Sequence, residues 1–276
     1  MSFAISVEHL TFQYPNGHEA LRDVTLAIET GRIVALIGKN GAGKTTLARH
    51  FNGLLKPTSG KVIVRGIDAS KKSASEMARE VGYVFQNPED QLFGSSVLEE
   101  AAFGPRNLGM SEEQARHRVE TSLSTVGLLP YVAEHPYNMT YGQRKMLCLA
   151  SVLAMDTSIV IMDEPNAGQD CLGLSLLGSI LEQLKQAGKT ALIISHDMEF
   201  VASHCEDVVL MCDGRIIAHD STRRVLSDQS KLELSGARPP QVTRLAICLS
   251  SEGIKPDIIT VEEMVKVLVE GIQKAG

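Results

Sequence analysis

The sequence predicts an α/β chain: a mainly parallel sheet with an antiparallel β flap, a helical subdomain and a small carboxyl-terminal appendage. Three observations predict it. Short apolar runs recur at 33–37, 81–85, 159–162, 191–194 and 208–211, most of them separated by helix-like segments. A glycine-rich turn, Gly38 to Thr45, leads from the first run into a helix. With 276 residues, 43% of them hydrophobic, the chain can bury a substantial core.

Taken in order, Ile5 to Leu10 and Leu21 to Ile28 read as strands, and Pro15, Asn16 and Gly17 make the turn of an antiparallel flap between them. After Gly31 the run Ile33 to Ile37 is apolar throughout, as suits a strand covered on both faces. Residues 87–153 are helical in character, with Ser111 before Glu112 and Glu113 marking a helix start. Beyond Thr222 the composition is mixed, and Gly236, Pro239 and Pro240 interrupt it as a linker does. Thr260 and Glu263 then form a T-x-x-E capping box, after which Val261, Met264, Val265, Leu268 and Ile272 line one helix face. The expected division is 1–222 for the main domain, with a helical subdomain at about 87–153, and 223–276 for the appendage. That tail either packs on its own domain or supports pairing with a second chain, identical or different.

A formal net charge of −6 argues against a phosphate backbone or an anionic lipid surface as main partner, so no nucleic acid is expected. The five cysteines, Cys148, Cys171, Cys205, Cys212 and Cys248, show no C-x-x-C spacing, and their odd number argues against a disulfide framework. A reducing cytosol fits. No leader pattern opens the chain, and no apolar run approaches the roughly 18 residues of a spanning helix, so a membrane role is expected to come through another subunit.

Gly38-Lys39-Asn40-Gly41-Ala42-Gly43-Lys44-Thr45 matches G-x-x-x-x-G-K-[ST] in full, between a strand and a helix. Glycines let successive N–H groups face one anion while the helix presents its positive end. Asn40, Gly41, Gly43, Lys44, Thr45 and Thr46 are therefore expected to bind ATP, Lys44 reaching the β- and γ-phosphates and Thr45 placing its hydroxyl on Mg²⁺. The run Ser158 to Met162 ends in Asp163 and Glu164, two acids that a buried strand avoids unless they face a cation or a reactive water. Asp163 fits as the Mg²⁺ partner of Thr45, and Glu164 as the group that polarises attacking water.

On these motifs the chain resembles an ATP-binding-cassette ATPase over essentially residues 3 to 220, which implies a P-loop NTPase (RecA-like) core. By that resemblance Tyr14 stacks on adenine, and Gln86 senses metal and γ-phosphate. His196 contacts the γ-phosphate, and Asp170 helps join two cassettes. Lys44, Gln86, Glu164 and His196 are then the catalytic set, with Thr45, Gln86 and Asp163 around the metal. Where the family carries L-S-G-G-Q, this chain has Met139-Thr140-Tyr141-Gly142-Gln143. Thr140, Gly142 and Gln143 still open a helix suited to a partner's γ-phosphate, but Tyr141 adds bulk where the family has glycine.

Gln86 to Phe93, Glu99 to Pro105 and Arg238 to Leu245 resemble the energy-coupling-factor importers and their cobalt and nickel relatives, which take up vitamins or transition-metal ions. The resemblance implies a second ATPase, identical or different, together with an integral coupling subunit and a substrate-binding membrane subunit. It places the chain peripherally on the cytoplasmic face of the cell membrane. Glu89 and Asp90 are expected to receive basic residues from that membrane partner. Two other readings stay open: a soluble mechanical ATPase of the same family acting in DNA repair or translation, and a nucleotide-binding regulator without hydrolysis. The absence of a long coiled-coil insertion and the intact Lys44, Asp163, Glu164 and His196 argue against them.

Overall fold

The computed structural model describes residues 2–275, with side chains through Glu270. Ten strands are present among the described residues: β1 (Phe3–Gln13), β2 (Glu19–Glu29), β3 (Ile33–Ile37), β4 (Ser59–Val64), β5 (Ile67–Asp68), β6 (Val81–Val84), β7 (Ile159–Asp163), β8 (Thr190–Ile194), β9 (Asp207–Cys212) and β10 (Arg215–Ser221). The helices are α1 (Lys44–Phe51), α2 (Ala74–Met77), α3 (Val97–Asn107), α4 (Glu112–Thr125), α5 (Tyr141–Ala154), α6 (Cys171–Gln186), α7 (Met198–His204), α8 (Thr222–Ser227), α9 (Gln229–Ser235), α10 (Gln241–Cys248) and α11 (Val261–Ala275).

The strands form two sheets, ordered β2-β1-β4-β5 and β10-β9-β3-β8-β7-β6. In the larger sheet every pair is parallel except β9 with β10. Although β3 is apolar at every position, its side chains part by the strand period of two. Ile33, Ala35 and Ile37 pack against the helices, while Val34 and Leu36 pack against the smaller sheet. Coverage on both faces explains the unbroken run, and β7, β8 and β9 divide in the same way.

The flap is larger than the two predicted strands: β1 pairs with β4 as well as β2, and β5 follows. β4 begins Ser59-Gly60-Lys61 with those three residues exposed, so its first half carries no apolar signal. Edge strand β10 escaped notice for the same reason, since none of its residues is fully buried. The 15–17 turn forms as expected, with Gly17 N donating to Tyr14 O at 2.9 Å and Gly17 at φ 84°.

Helices α3, α4 and α5 occupy the predicted helical stretch. Ser111 caps α4 in a reciprocal box with Gln114. Helix α5 lies so close to β6 that a Cβ on Gly82 would meet Val152 Cγ1 at 2.4 Å. Within 223–276, Val225, Leu226 and Leu232 of α8 and α9 join the main core, whereas Val242, Ala246, Ile258 and Met264 form a separate small cluster. Glu263 N donates to Thr260 Oγ1 at 3.4 Å, but the Glu263 carboxylate turns to Ile259 N and to the Arg223 guanidinium rather than back to the cap residue. Of the predicted apolar face Met264 is buried, Val261, Val265 and Leu268 are exposed, and the Ile272 side chain lies outside the described residues.

Candidate active site

Parallel strands bring their carboxyl ends to one edge of the sheet, and the site is built there. β8 lies between β3 and β7, with Ile194 in register with both Leu36 and Asp163. The loop after β3, the acids closing β7 and the Ser195-His196 segment after β8 therefore converge.

The glycine loop needs its glycines. Gly43 sits at φ 99°, and a Cβ there would meet Ala20 O at 2.7 Å; at Gly38, with φ 143°, it would meet Met211 O at 2.2 Å. Helix α1 begins after Gly43 with no side-chain cap, leaving its first N–H groups for another acceptor. Lys44, only 8% exposed, donates from Nζ to Gly38 O at 2.7 Å and Lys39 O at 3.1 Å. Burial pulls its pKa below the usual lysine value, opposed by the charges of Glu164 and Asp163.

Asp163 and Glu164 are both buried at the end of β7. Thr45 Oγ1 donates to Asp163 Oδ2 at 2.8 Å, and the Tyr83 hydroxyl donates to the same oxygen at 3.2 Å. Burial next to Asp163 raises the Tyr83 pKa far above the ordinary phenol range, so the group stays a donor. Glu164 holds φ at 51°, in the left-handed region that disfavours a side chain and costs of order 1–3 kcal/mol. Its backbone is pinned on both sides, since its N donates to Ile194 O at 2.8 Å and its O accepts from Lys145 Nζ.

His196 Nδ1 lies 2.8 Å from Glu164 Oε2. The ring is not aligned for a hydrogen bond, however, so Oε2 remains a buried acceptor without a hydrogen-bond partner. A carboxylate oxygen without a hydrogen bond, with only this ring nitrogen close by, is suited to take a proton from, or orient, a water molecule. Gln86 and Tyr14 line the same cleft, of about 350 Å³, as the glycine loop and the two acids. Tyr14 is anchored through its hydroxyl, 3.0 Å from Thr46 Oγ1, and meets Phe12 edge-on at 4.8 Å.

The donors around Asp163 are oxygens: a hydroxyl, a carboxylate and the nearby Gln86 amide. Among the described residues no group of three or more His, Cys, Asp and Glu side chains is placed to hold a metal. That sparse set fits Mg²⁺, which keeps waters and phosphate oxygens in its shell, and does not fit zinc.

Thr140, Gly142, Gln143 and Asp170 do not line this cleft. Thr140 caps α5, its Oγ1 accepting from Gln143 N at 3.3 Å while Gln143 Oε1 accepts from Thr140 N at 3.0 Å. Asp170 caps α6 by accepting from Gly173 N at 2.8 Å. The two cap segments touch each other: Gln169 Nε2 donates to Gly142 O at 3.1 Å, and a Cβ on Gly168 would meet the Tyr141 ring at 2.5 Å. His196, 72% exposed at its side chain, does not line this cleft; it lines a second cavity of about 610 Å³ together with Gly38, Lys39 and Asn40, and reaches the cleft only through its approach to Glu164.

Three residues of the site escaped the sequence reading. His18 lines the cleft beyond the flap turn, and nothing in a polar turn singles it out. Tyr83 is a polar tip in an apolar strand, and Lys145 is a lysine beside the apolar stretch that follows it in α5; both carried a signal that periodicity alone passes over.

A family profile described as ABC transporter matches residues 21–167. The chain is 37% identical over 262 residues to the energy-coupling factor transporter ATP-binding protein EcfA of Methanocaldococcus jannaschii, covering 94% of this chain and 92% of that one. It is 39% identical to an ABC transporter ATP-binding protein of Methanosarcina acetivorans, of whose length it spans 42%. Among solved structures, cbiO1 of Clostridium perfringens, part of an ABC transporter complex cbiONQ, superposes with a TM-score of 0.75 at 32% identity, covering 91% of this chain and all of that one.

Proposed function

The chain belongs to the ABC transporter family as an ATPase of the energy-coupling-factor type, and from that premise we propose that it works as one of two cassettes driving uptake of a vitamin or transition-metal ion through a membrane partner. The observation that carries the reading is the Thr45–Asp163 contact beneath the glycine loop, with Lys44 and the Glu164 carboxylate in the same cleft.

In this reading Lys44 turns from the loop carbonyls to the β- and γ-phosphates, joining the N–H groups of the loop and of α1. Tyr14 offers its ring to adenine. Thr45, Asp163 and Gln86 would hold Mg²⁺, which supplies charge neutralisation of the phosphates. Glu164 orients water with its carboxylate, and His196 meets the γ-phosphate from the loop after β8. Thr140, Gly142 and Gln143 complete the site of a second cassette. Support for that division is that they cap α5 away from this chain's own cleft, with the Thr140 hydroxyl proton left over after its oxygen has accepted from Gln143 N. The exposed Val261, Val265 and Leu268 support pairing through the tail.

A membrane partner is supported by an apolar groove of about 360 Å³ that includes Phe85, Phe93 and Phe103, close to Gln86. Phe93 and Phe103 meet edge-on at 4.5 Å and are each at least half exposed, a patch that a solitary protein rarely presents. The earlier expectation for Glu89 is modified: its carboxylate lies 3.5 Å from Arg144 Nη1 of the same chain, so a docking cation would have to compete. Among the described residues no helix is long and apolar enough to cross a membrane, and the proposed place is the cytoplasmic face, held by that partner.

Phosphate release by the assembled complex tests the proposal. Hydrolysis that disappears in Glu164→Gln while ATP still binds is expected; a complex that binds ATP and never releases phosphate would favour the regulatory reading.

A further inference from the structure

Lys145 is a buried cation, 3% exposed, that none of the roles above uses. It stands one turn into α5, beyond Thr140 and Gly142 at the tip. From there its Nζ donates to the main-chain oxygen of Glu164 rather than to any carboxylate oxygen. Burial lowers its pKa, and the charges of Glu164, Cys148 and Asp163 oppose that effect. A lysine placed this deeply is costly unless its position is used.

The acceptor makes the placement informative. Glu164 adopts a left-handed backbone conformation that glutamate disfavours, and such a conformation persists only when its surroundings over-determine it. Ile194 O fixes its N–H from β8, and Ala167 N donates to its oxygen at 3.3 Å from the following turn. The remaining tether is Lys145, the one that comes from the helical subdomain. The neighbouring Arg144 reaches the other way, to Glu89 beside the groove. Helix α5 thus touches the catalytic carboxylate's backbone at Lys145, the docking loop at Arg144 and the α6 cap segment at Gly142.

We infer that Lys145 is a positioning residue that holds Glu164 in its hydrolytic pose and ties that pose to the seating of α5. This rests on the reading above, in which the tip of α5 meets the partner cassette's triphosphate. Seating that tip then steadies Glu164 in the same chain, so occupancy of one site of the pair is felt at the other through a single side chain. A change of about 1 Å in such a group alters rate by up to about a hundredfold while leaving nucleotide binding to other residues.

The test uses the complete purified complex. Wild-type hydrolysis abolished by Glu164→Gln establishes the reaction, and its absence would defeat the functional reading rather than this one. Lys145→Met keeps the stem and removes the donors, whereas Lys145→Arg keeps a donor. The expected result for Lys145→Met is a kcat lower by about 10- to 100-fold with KM for ATP and ATP affinity within about twofold, and partial recovery of kcat in Lys145→Arg. Wild-type kcat in Lys145→Met overturns the inference. So does a parallel loss of kcat and ATP affinity without recovery in Lys145→Arg, or failure of both variants to fold, since either assigns the residue to packing.

Discussion

At the scale of single residues the proposed tasks are separable. Lys44→Ala removes a charge-assisted contact worth about 1.5–3 kcal/mol, so ATP affinity measured by titration calorimetry is expected to fall roughly ten- to a hundredfold. Glu164→Gln keeps size and loses the base; kcat should drop by about 10² to 10⁴ with ATP binding retained. Unchanged turnover there would remove Glu164 from the chemistry. Tyr141→Gly is a subtler case, because the ring packs on Gly168 beside the α6 cap. It should alter hydrolysis by the assembled pair more than ATP binding by the isolated chain, and equal rates in matched complexes would contradict that. Lys44, Thr45, Asp163 and Glu164 were legible in the sequence because charged or hydroxylated residues stood against an apolar or glycine background. Tyr83, His18 and Lys145 were not, since their partners lie 80 residues away at Asp163, across the flap turn, and at a main-chain oxygen in another segment.

Elements were legible where burial dictates pattern. β3, buried on both faces, was read to the residue, and β6 to β9 to within a residue or two at each end. β4 and β10 carry exposed residues and are fixed by pairing with β1 and β9, which one-dimensional periodicity does not report. The tail illustrates the same limit: Glu263 matched a capping pattern, yet tertiary structure recruited it to Arg223 and Ile259. The Arg223 guanidinium, hydrogen-bonded to it, holds the Glu263 carboxyl below its usual pKa. A depressed folded-state value means that this contribution is present above the unfolded glutamate range and is lost as pH falls through the folded value. Both groups are over a third exposed, so the effect is local. Glu263→Gln should speed amide exchange in α10 and α11 without measurably lowering the global melting temperature. At the groove, Phe93→Ser should reduce co-purification of the membrane subunit while leaving ATP affinity intact. Normal assembly would remove the groove from the docking account.

At the scale of the whole molecule the glycine-loop cleft and the Thr140 segment do not meet within one chain. The glycine loop, Asp163 and Glu164 gather at one sheet edge with His196 beside Glu164, while Thr140 caps α5 and Gly142 stands in its first turn outside that cleft. On the proposed reading, pairing of two cassettes brings the two segments together and makes cleavage depend on closure. The most direct measurement is the structure of the assembled pair with a nonhydrolysable ATP analogue. The γ-phosphate is expected within hydrogen-bond distance of Lys44 of one chain and of the Thr140 end of α5 of the other. An analogue-free glycine loop, or a bound triphosphate with the second chain's Thr140 turned to solvent, would contradict it.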